Sequence, residues 1–263
     1  DRCGSRYCVG GYIWQVTDAA KGELLSGPEY PNPRPNLFDG QGAPDHFVTV
    51  YGADAPVGGE VRAIGVGRVR RTSPIEPFSV RHNPEVIEYT PWAVTPTEST
   101  ITMQTMDQCN DWGYRLTRTV TLSGRTVDSH TAIKNQGQAP LPVRWYAHPF
   151  FPPTADRVYC RITPPVSFAE NPTYFFNDEQ FICKKPDHND VPKWFLALDY
   201  GREGDSMTFV QRHPLVGEVV AVTDFMPDWL PIWSNTRTFS FEPYVIRELA
   251  PGESAAWSIA YRF

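Results

Sequence analysis

Two titratable residues of this chain stand in the same local setting. His148 lies in Arg144-Trp145-Tyr146-Ala147-His148-Pro149-Phe150-Phe151, and Glu242 lies in Thr238-Phe239-Ser240-Phe241-Glu242-Pro243-Tyr244. In a β-strand, successive side chains point to opposite faces. Arg144, Tyr146 and His148 then share one face, and Val143, Trp145 and Ala147 share the other. In the second segment Thr238, Ser240 and Glu242 face one way, and Phe239 and Phe241 the other. A proline follows each titratable residue and cannot donate to a sheet ladder, so each strand ends there or meets an edge. An imidazole and a carboxylate at strand ends suit proton transfer near neutral pH. Histidine titrates there, and a desolvated carboxylate has a raised pKa. Taken singly, each also fits an ordinary polar position, a satisfied structural histidine or a surface glutamate.

Other residues are weaker candidates. Trp145 or Tyr146 could stack on a sugar ring, and as strand aromatics both equally suit a core. Trp233, in Pro231-Ile232-Trp233-Ser234-Asn235, precedes the Glu242 strand and is a candidate wall of the same cleft. Asp107, Asn110 and Asp111, and likewise Asp187 and Asp190, resemble cation-binding clusters but lack EF-hand spacing, so they read as solvated turns. No G-x-S-x-G elbow, Walker loop or Rossmann fingerprint is present.

The elements that must position these groups are strands. Helical periodicity is almost absent, and short runs rich in Val, Ile, Thr, Tyr, Phe and Trp alternate with turn residues, the pattern of an all-β sandwich or barrel. The clearest strands fall near 9–17, 46–52, 60–66, 85–92, 99–106, 113–122, 126–134, 141–148, 194–199, 206–213, 217–223, 237–242 and 255–262. Ser123-Gly124 predicts a hairpin between 113–122 and 126–134. Asn135-Gln136-Gly137-Gln138 predicts a second, leading into 141–148. The segment 152–192 is irregular and proline-rich, and reads as loops and short strands over one end of the sheet.

At 263 residues the chain fits one large all-β domain, and neither a boundary nor an internal repeat is visible. Aromatics at 13% favour both strands and sugar stacking. A net charge of −6 and the lack of a basic stripe exclude a typical nucleic-acid binder. Arg68, Arg70 and Arg71 form the densest basic cluster. Five cysteines without C-x-x-C spacing argue against a zinc ribbon or thioredoxin-like site. Free buried thiols are expected, although a Cys3–Cys8 bridge is sterically conceivable. No apolar run approaches the roughly 20 residues that span a bilayer. A cytoplasmic monomer or weak dimer is expected; an opening at Asp1 leaves processing or secretion open.

Ordered landmarks along the chain resemble the aldose 1-epimerase (galactose mutarotase-like) superfamily, in particular a divergent branch of it. They are Leu37-Phe38-Asp39-Gly40-Gln41-Gly42-Ala43-Pro44-Asp45-His46-Phe47, Ile64-Gly65-Val66-Gly67-Arg68, the run from Gly113 to Leu122, Ile133-Lys134-Asn135-Gln136-Gly137, Tyr146-Ala147-His148-Pro149-Phe150-Phe151, Phe241-Glu242-Pro243, and Leu249-Ala250-Pro251-Gly252-Glu253 to Tyr261-Arg262-Phe263. The resemblance implies a β-supersandwich that interconverts the α and β anomers of a sugar without metal or organic cofactor. It makes Glu242 the base at the anomeric hydroxyl and His148 the acid at the ring oxygen. Charge and apolar patterning point to no membrane or nucleic-acid partner. The H-G signature of better-known epimerases, which carries a further substrate-gripping histidine, is missing at Gly65-Val66-Gly67-Arg68. Arg68 is the candidate grip by position, with His46 or His82 as substitutes outside any matching motif. Asp224 falls where a family acid contacts sugar hydroxyls. Arg34, Arg68 and Arg70 leave a phosphorylated or otherwise modified sugar open.

A second function class is a non-catalytic carbohydrate-binding or accessory protein on the same scaffold, because fold does not fix function. The two readings part on geometry. Catalysis predicts His148 and Glu242 in one concave polar pocket, on opposite sides of a ring-sized space. A polysaccharide lyase or hydrolase would need a second carboxylate or a Tyr/Arg/His cluster, and no clear case is present.

Overall fold

Every paired strand runs antiparallel to its neighbours, and the one helical element among the described residues is a 3-10 turn at Val80–His82. The structure is a computed structural model that describes residues 3–185 and 193–263; Asp187 and Asp190 lie outside the described residues. All-β architecture follows from the β-branched and aromatic runs, which a pleated, half-buried surface accommodates.

One layer is a ten-stranded sheet. Its order is Tyr174–Phe176, Ile182–Lys184, Val158–Thr163, Met207–His213, Gly217–Thr223, Ser254–Arg262, Thr126–Asn135, Trp112–Ser123, Thr100–Cys109 and Ala93–Pro96. Against it lie two three-stranded sheets. The first holds Tyr244–Leu249, Leu141–Ala147 and Asp45–Phe47; the second holds Lys193–Ala197, Pro231–Asn235 and Phe239–Phe241. A bridge between Phe151 and Phe239 joins them edge to edge.

The core fills the space between these layers. Trp145 of the first small sheet meets Trp257 of the large sheet, ring centroids 5.2 Å apart. Phe241 of the second small sheet stacks on Phe209 of the large one at 4.1 Å, and Phe239 stacks on Tyr159 at 4.7 Å. Alternation therefore sends Val143, Trp145, Phe239 and Phe241 inward. The partners of that alternation, Arg144, Tyr146, Ser240 and Glu242, go to the far face of the layer, away from the large sheet. A separate four-stranded sheet (Val50–Tyr51, Glu60–Ala63, Gly67–Arg70, Val86–Tyr89) has its own small cluster of Ala63, Val66 and Val69.

Three expectations change. The hairpin at Ser123-Gly124 forms, with Ser123 opposite Thr126 and Gly124 at a φ of 57°. The second hairpin does not. Thr126–Asn135 pairs with Trp112–Ser123 and Ser254–Arg262, whereas Leu141–Ala147 pairs with Tyr244–Leu249 and Asp45–Phe47. The turn after Asn135 carries the chain from one layer to the other. The Asn135 side chain donates to the Ala139 and Leu249 carbonyls and accepts from Gly137 N–H, bracing the corner. Gly137 sits so close to the Asp111 carbonyl that a Cβ would lie 2.2 Å from it. Turn residues signal a reversal but not which strand lies beyond it.

Residues 9–17 form no continuous strand. They are held by an isolated bridge at Ile13–Ala43 and single hydrogen bonds such as Val9 N–H to the Gly65 carbonyl, and end in a two-residue strand from Thr17 that pairs with Gly22–Glu23. Strands at Pro231–Asn235 and Tyr244–Leu249 are additional to those expected. The irregular 152–192 segment supplies three short strands to the end of the large sheet. All five cysteines are free, including Cys3 and Cys8.

Candidate active site

His148 and Glu242 meet at the seam between the two small sheets. Leu141–Ala147 ends at His148, whose N–H donates to the Pro44 carbonyl, and the chain then crosses to the Phe151–Phe239 bridge. Glu242 follows Phe239–Phe241 and donates its N–H to the Pro231 carbonyl. Pro243 then breaks the ladder, and Tyr244–Leu249 continues in the other sheet. Each titratable residue is thus the last one before its chain changes sheet.

The imidazole Nε2 lies 3.5 Å from Glu242 Oε1. The side chains are 4% and 6% exposed, so the contact is nearly dry. On the other side of the ring, Nδ1 lies 2.6 Å from Ser240 Oγ. The Ser240 hydroxyl has its own outlet at the Phe241 carbonyl, 3.4 Å away. That network fits the tautomer in which Nδ1–H donates to Ser240 and Nε2 faces Glu242. Phe150 and Trp233 flank the ring, with centroids at 4.3 and 5.9 Å.

Burial dominates the electrostatics. It pushes the Glu242 carboxyl from 4.5 up to about 7, against the opposing pull of Arg6. It pushes His148 well below its usual 6.5, and the charge of Arg6 and the neighbouring His46 add to this. Near neutrality the pair therefore holds a single shared proton. Carboxylic acid with imidazole and carboxylate with imidazolium are two microstates of that one protonation level.

A cleft of about 430 Å³ opens above the pair, lined by Arg6, Arg81, Arg144, Tyr146, Trp229, Trp233 and Tyr244 among others. Tyr146 stacks on Tyr244 at 4.5 Å, and its hydroxyl accepts from Arg6 at 2.9 Å. His46 Nδ1 lies 3.1 Å from the same hydroxyl, and burial holds that imidazole well below 6.5. Arg144 lies over Trp229 and Tyr244 at 5.5 and 5.2 Å. A larger hollow of about 630 Å³ beside Asp18, Arg125 and Glu218 contains no histidine, and its Arg125 is engaged by Asp18.

Tyr146 and Trp233 therefore join His148 and Glu242 in the cleft. Four other candidates do not. Trp145 is 2% exposed and points into the core, because it has the opposite parity to His148 on the same strand. Arg68 lies on the four-stranded sheet, held by Glu60 at 2.9 Å and Glu88 at 2.6 Å. Asp224 accepts from Ser258 N–H at 2.6 Å beside the large sheet, and Arg34 is exposed in a loop. Neither lines the cleft. Arg70 pairs with Glu85, and His82 is exposed on the 3-10 turn.

Sequence reasoning missed Arg6, Arg81, Trp229 and Tyr244 as cleft residues. Arg144 was placed on the His148 face without a role. Its parity with His148 was the signal that could have promoted it, as was Tyr244 lying two residues beyond Glu242. Arg6 had none: it arrives from a segment 142 positions before His148. Asp107, near the end of the Thr100–Cys109 strand, pairs with Arg62, and Asn110, with φ of 52°, and Asp111 form the turn that follows. Among the described residues no group of three or more His, Cys, Asp or Glu is placed to hold a metal ion. No helix among them is long and apolar enough to cross a membrane.

No family model and no curated protein sequence matches the chain. Solved structures do. A galactose mutarotase related enzyme from Lactobacillus acidophilus superposes with a TM-score of 0.59 at 13% identity, covering 98% of this chain and 93% of that one. A galactose mutarotase-like protein from Lactobacillus casei gives 0.55 at 13% identity, over 100% and 95% of the two chains. An aldose epimerase homologue from C. elegans gives 0.51 at 11%, over 94% and 90%. With its ten-stranded sheet, opposed small sheets and seam-positioned cleft, the chain has the galactose mutarotase-like fold.

Proposed function

We propose that the protein is a mutarotase, interconverting the α and β anomers of a sugar by acid–base ring opening. The observation that carries this reading is the His148–Glu242 contact of 3.5 Å at the floor of one cleft. The two oxygens that must exchange protons, O1 and the ring O5, are both bonded to C1. An acid and a base that serve them belong side by side, not across a ring-sized space as the sequence-based expectation had it.

In the forward direction Glu242 carboxylate takes the proton from O1–H while His148 imidazolium gives one to O5. The C1–O5 bond breaks and C1=O1 forms, leaving an open-chain aldehyde. Rotation about C1–C2 presents the other carbonyl face. O5 then attacks C1, His148 recovers its proton from O5, and Glu242 returns its proton to O1. The pair begins and ends with one proton; burial favours the microstate with that proton on Glu242, and its transfer across the 3.5 Å contact gives the carboxylate–imidazolium form that starts the cycle. Each group supplies roughly 10²–10⁴-fold, the usual range for a positioned acid or base. Ser240 holds the imidazole in register, and Tyr146 and Trp233 offer aromatic surface to the sugar.

Anomer-exchange NMR on a panel of neutral and charged aldoses tests the reading. Wild type should exchange saturably, and His148→Ala and Glu242→Gln should each fall by at least about 10². Exchange no faster than buffer for every sugar would overturn it. Sugar binding without exchange would favour the accessory-protein reading instead.

A further inference from the structure

Some arginines of this protein are neutralised by a carboxylate and others are not. Arg62, Arg68, Arg70, Arg125, Arg212 and Arg247 each pair with a carboxylate. The cleft gathers three of the others. Arg6, Arg81 and Arg144 all line it, and none has a carboxylate at ion-pair distance among the described residues. Against these three arginines stand two acids, Asp39 and Glu242. Asp39 accepts from the Asn36 amide, and Glu242 is held largely protonated up to about 7. Burial above all holds His46 and His148 below their usual 6.5, and the charge of Arg6 on both, with Arg144 on His46, adds to it.

The three arginines are not equivalent. Arg6 is used internally: it donates to the Phe38 carbonyl at 2.8 Å and to the Tyr146 hydroxyl at 2.9 Å, beside the acid–base pair. Arg81 and Arg144 donate no side-chain hydrogen bond to the described protein. Their guanidiniums rest on aromatic faces, Arg81 over Phe38 at 5.5 Å and Arg144 over Trp229 and Tyr244. Stacking fixes the plane of a guanidinium and leaves its in-plane N–H fork free, which is the geometry that receives a carboxylate or phosphate bidentately. Arg144 also shares its strand face with His148, four residues away and so about 13 Å along the strand, with Tyr146 between.

We infer that the cleft takes a sugar bearing an anionic substituent, a carboxylate or a phosphate, on the end remote from C1, received by Arg144 and Arg81. This rests on the mutarotase reading for the placement of C1 over His148 and Glu242. It moves the charge-recognition role away from Arg34, Arg68 and Arg70, which are outside the cleft.

Isothermal calorimetry and anomer-exchange NMR on glucose, glucuronate and glucose 6-phosphate test it, with wild type, Arg144→Met and Arg81→Met. Methionine keeps an apolar stem on the aromatic faces and removes the fork. Wild type should bind at least one anionic sugar about tenfold or more tightly than glucose, with an affinity that weakens as salt rises. Each variant should shrink that anionic-to-neutral ratio by about tenfold. Whichever anion gives the preference names the group. Equal binding of all three sugars, or variants that leave the ratio unchanged, would overturn the inference. Calorimetry keeps the two readings separate: anion-selective binding without exchange sinks the mutarotase reading and leaves this one standing.

Discussion

Replacing Glu242 by glutamine should make the protein more stable above neutral pH while abolishing exchange. Burial raises the Glu242 carboxyl from 4.5 to about 7, so between those values the folded state holds a proton that the unfolded state releases. Stability conferred by the protonated acid is fully present below 4.5 and is lost as pH rises through about 7. Above that, keeping the carboxylate ionised in its nearly dry site costs about 3 kcal/mol, at 1.36 kcal/mol per pH unit. That is a substantial fraction of the 5–15 kcal/mol typical of a folded domain. Glutamine is neutral at every pH and keeps a hydrogen-bonding oxygen near His148. His46 and His148 act in the opposite sense, because their depressed pKa values cost stability as pH falls below 6.5. The comparison is therefore between the two proteins at each pH. In urea titrations followed by tryptophan fluorescence, the stability of Glu242→Gln relative to wild type should rise by about 2.5 kcal/mol between pH 5 and pH 8.5, because the unfolded carboxyl is already partly ionised at pH 5. The same difference at both pH values would refute the argument that Glu242 is desolvated. A site that gives up stability for a proton held near neutrality is the expected trade of function against folding.

The same proton sets the pH profile. Exchange, measured as kcat/KM, should fall on the alkaline side from about pH 7 as the pair loses its shared proton, and a rate that stays flat to pH 9 would contradict it. Ser240→Ala removes the Nδ1 anchor and should lower kcat about tenfold with a smaller change in KM; an unchanged kcat means the imidazole is held by other contacts. Trp145→Ala should cost roughly 3–5 kcal/mol in denaturant unfolding, since this side chain fills the space against Trp257 and Phe225. Arg68→Ala should leave the urea midpoint and the kinetics close to wild type, its ion pairs being at the surface; a raised KM would place it at the cleft.

Several features of the site were readable from local pattern. Strand parity put Arg144, Tyr146 and His148 on one face and Ser240 with Glu242 on one face, because side-chain direction alternates whatever the strand's partners are. The same rule would have removed Trp145 from the cleft, had parity been weighed above the attraction of an aromatic next to a histidine. Arg68 was misplaced for a different reason. Position along a landmark does not reveal that Glu60 and Glu88 flank it on neighbouring strands. The corner after Asn135 looked like a hairpin because turn residues report the reversal alone, and the strand that meets Leu141–Ala147 comes from about a hundred residues later.

By itself, the sequence determined what short-range covalent geometry controls. Strands arise from β-branched and aromatic runs, faces from period-two alternation, and strand ends at His148-Pro149 and Glu242-Pro243 from the missing proline N–H. The tertiary structure alone decided what depends on long-range neighbours. It brought the two strand ends to one seam and carried Arg6 across 142 positions to the acid–base pair. It removed water from Glu242 and left Arg81 and Arg144 without a carboxylate partner among the described residues. Desolvation and charge pairing belong to the surroundings of a group, and those surroundings exist only once distant strands have packed.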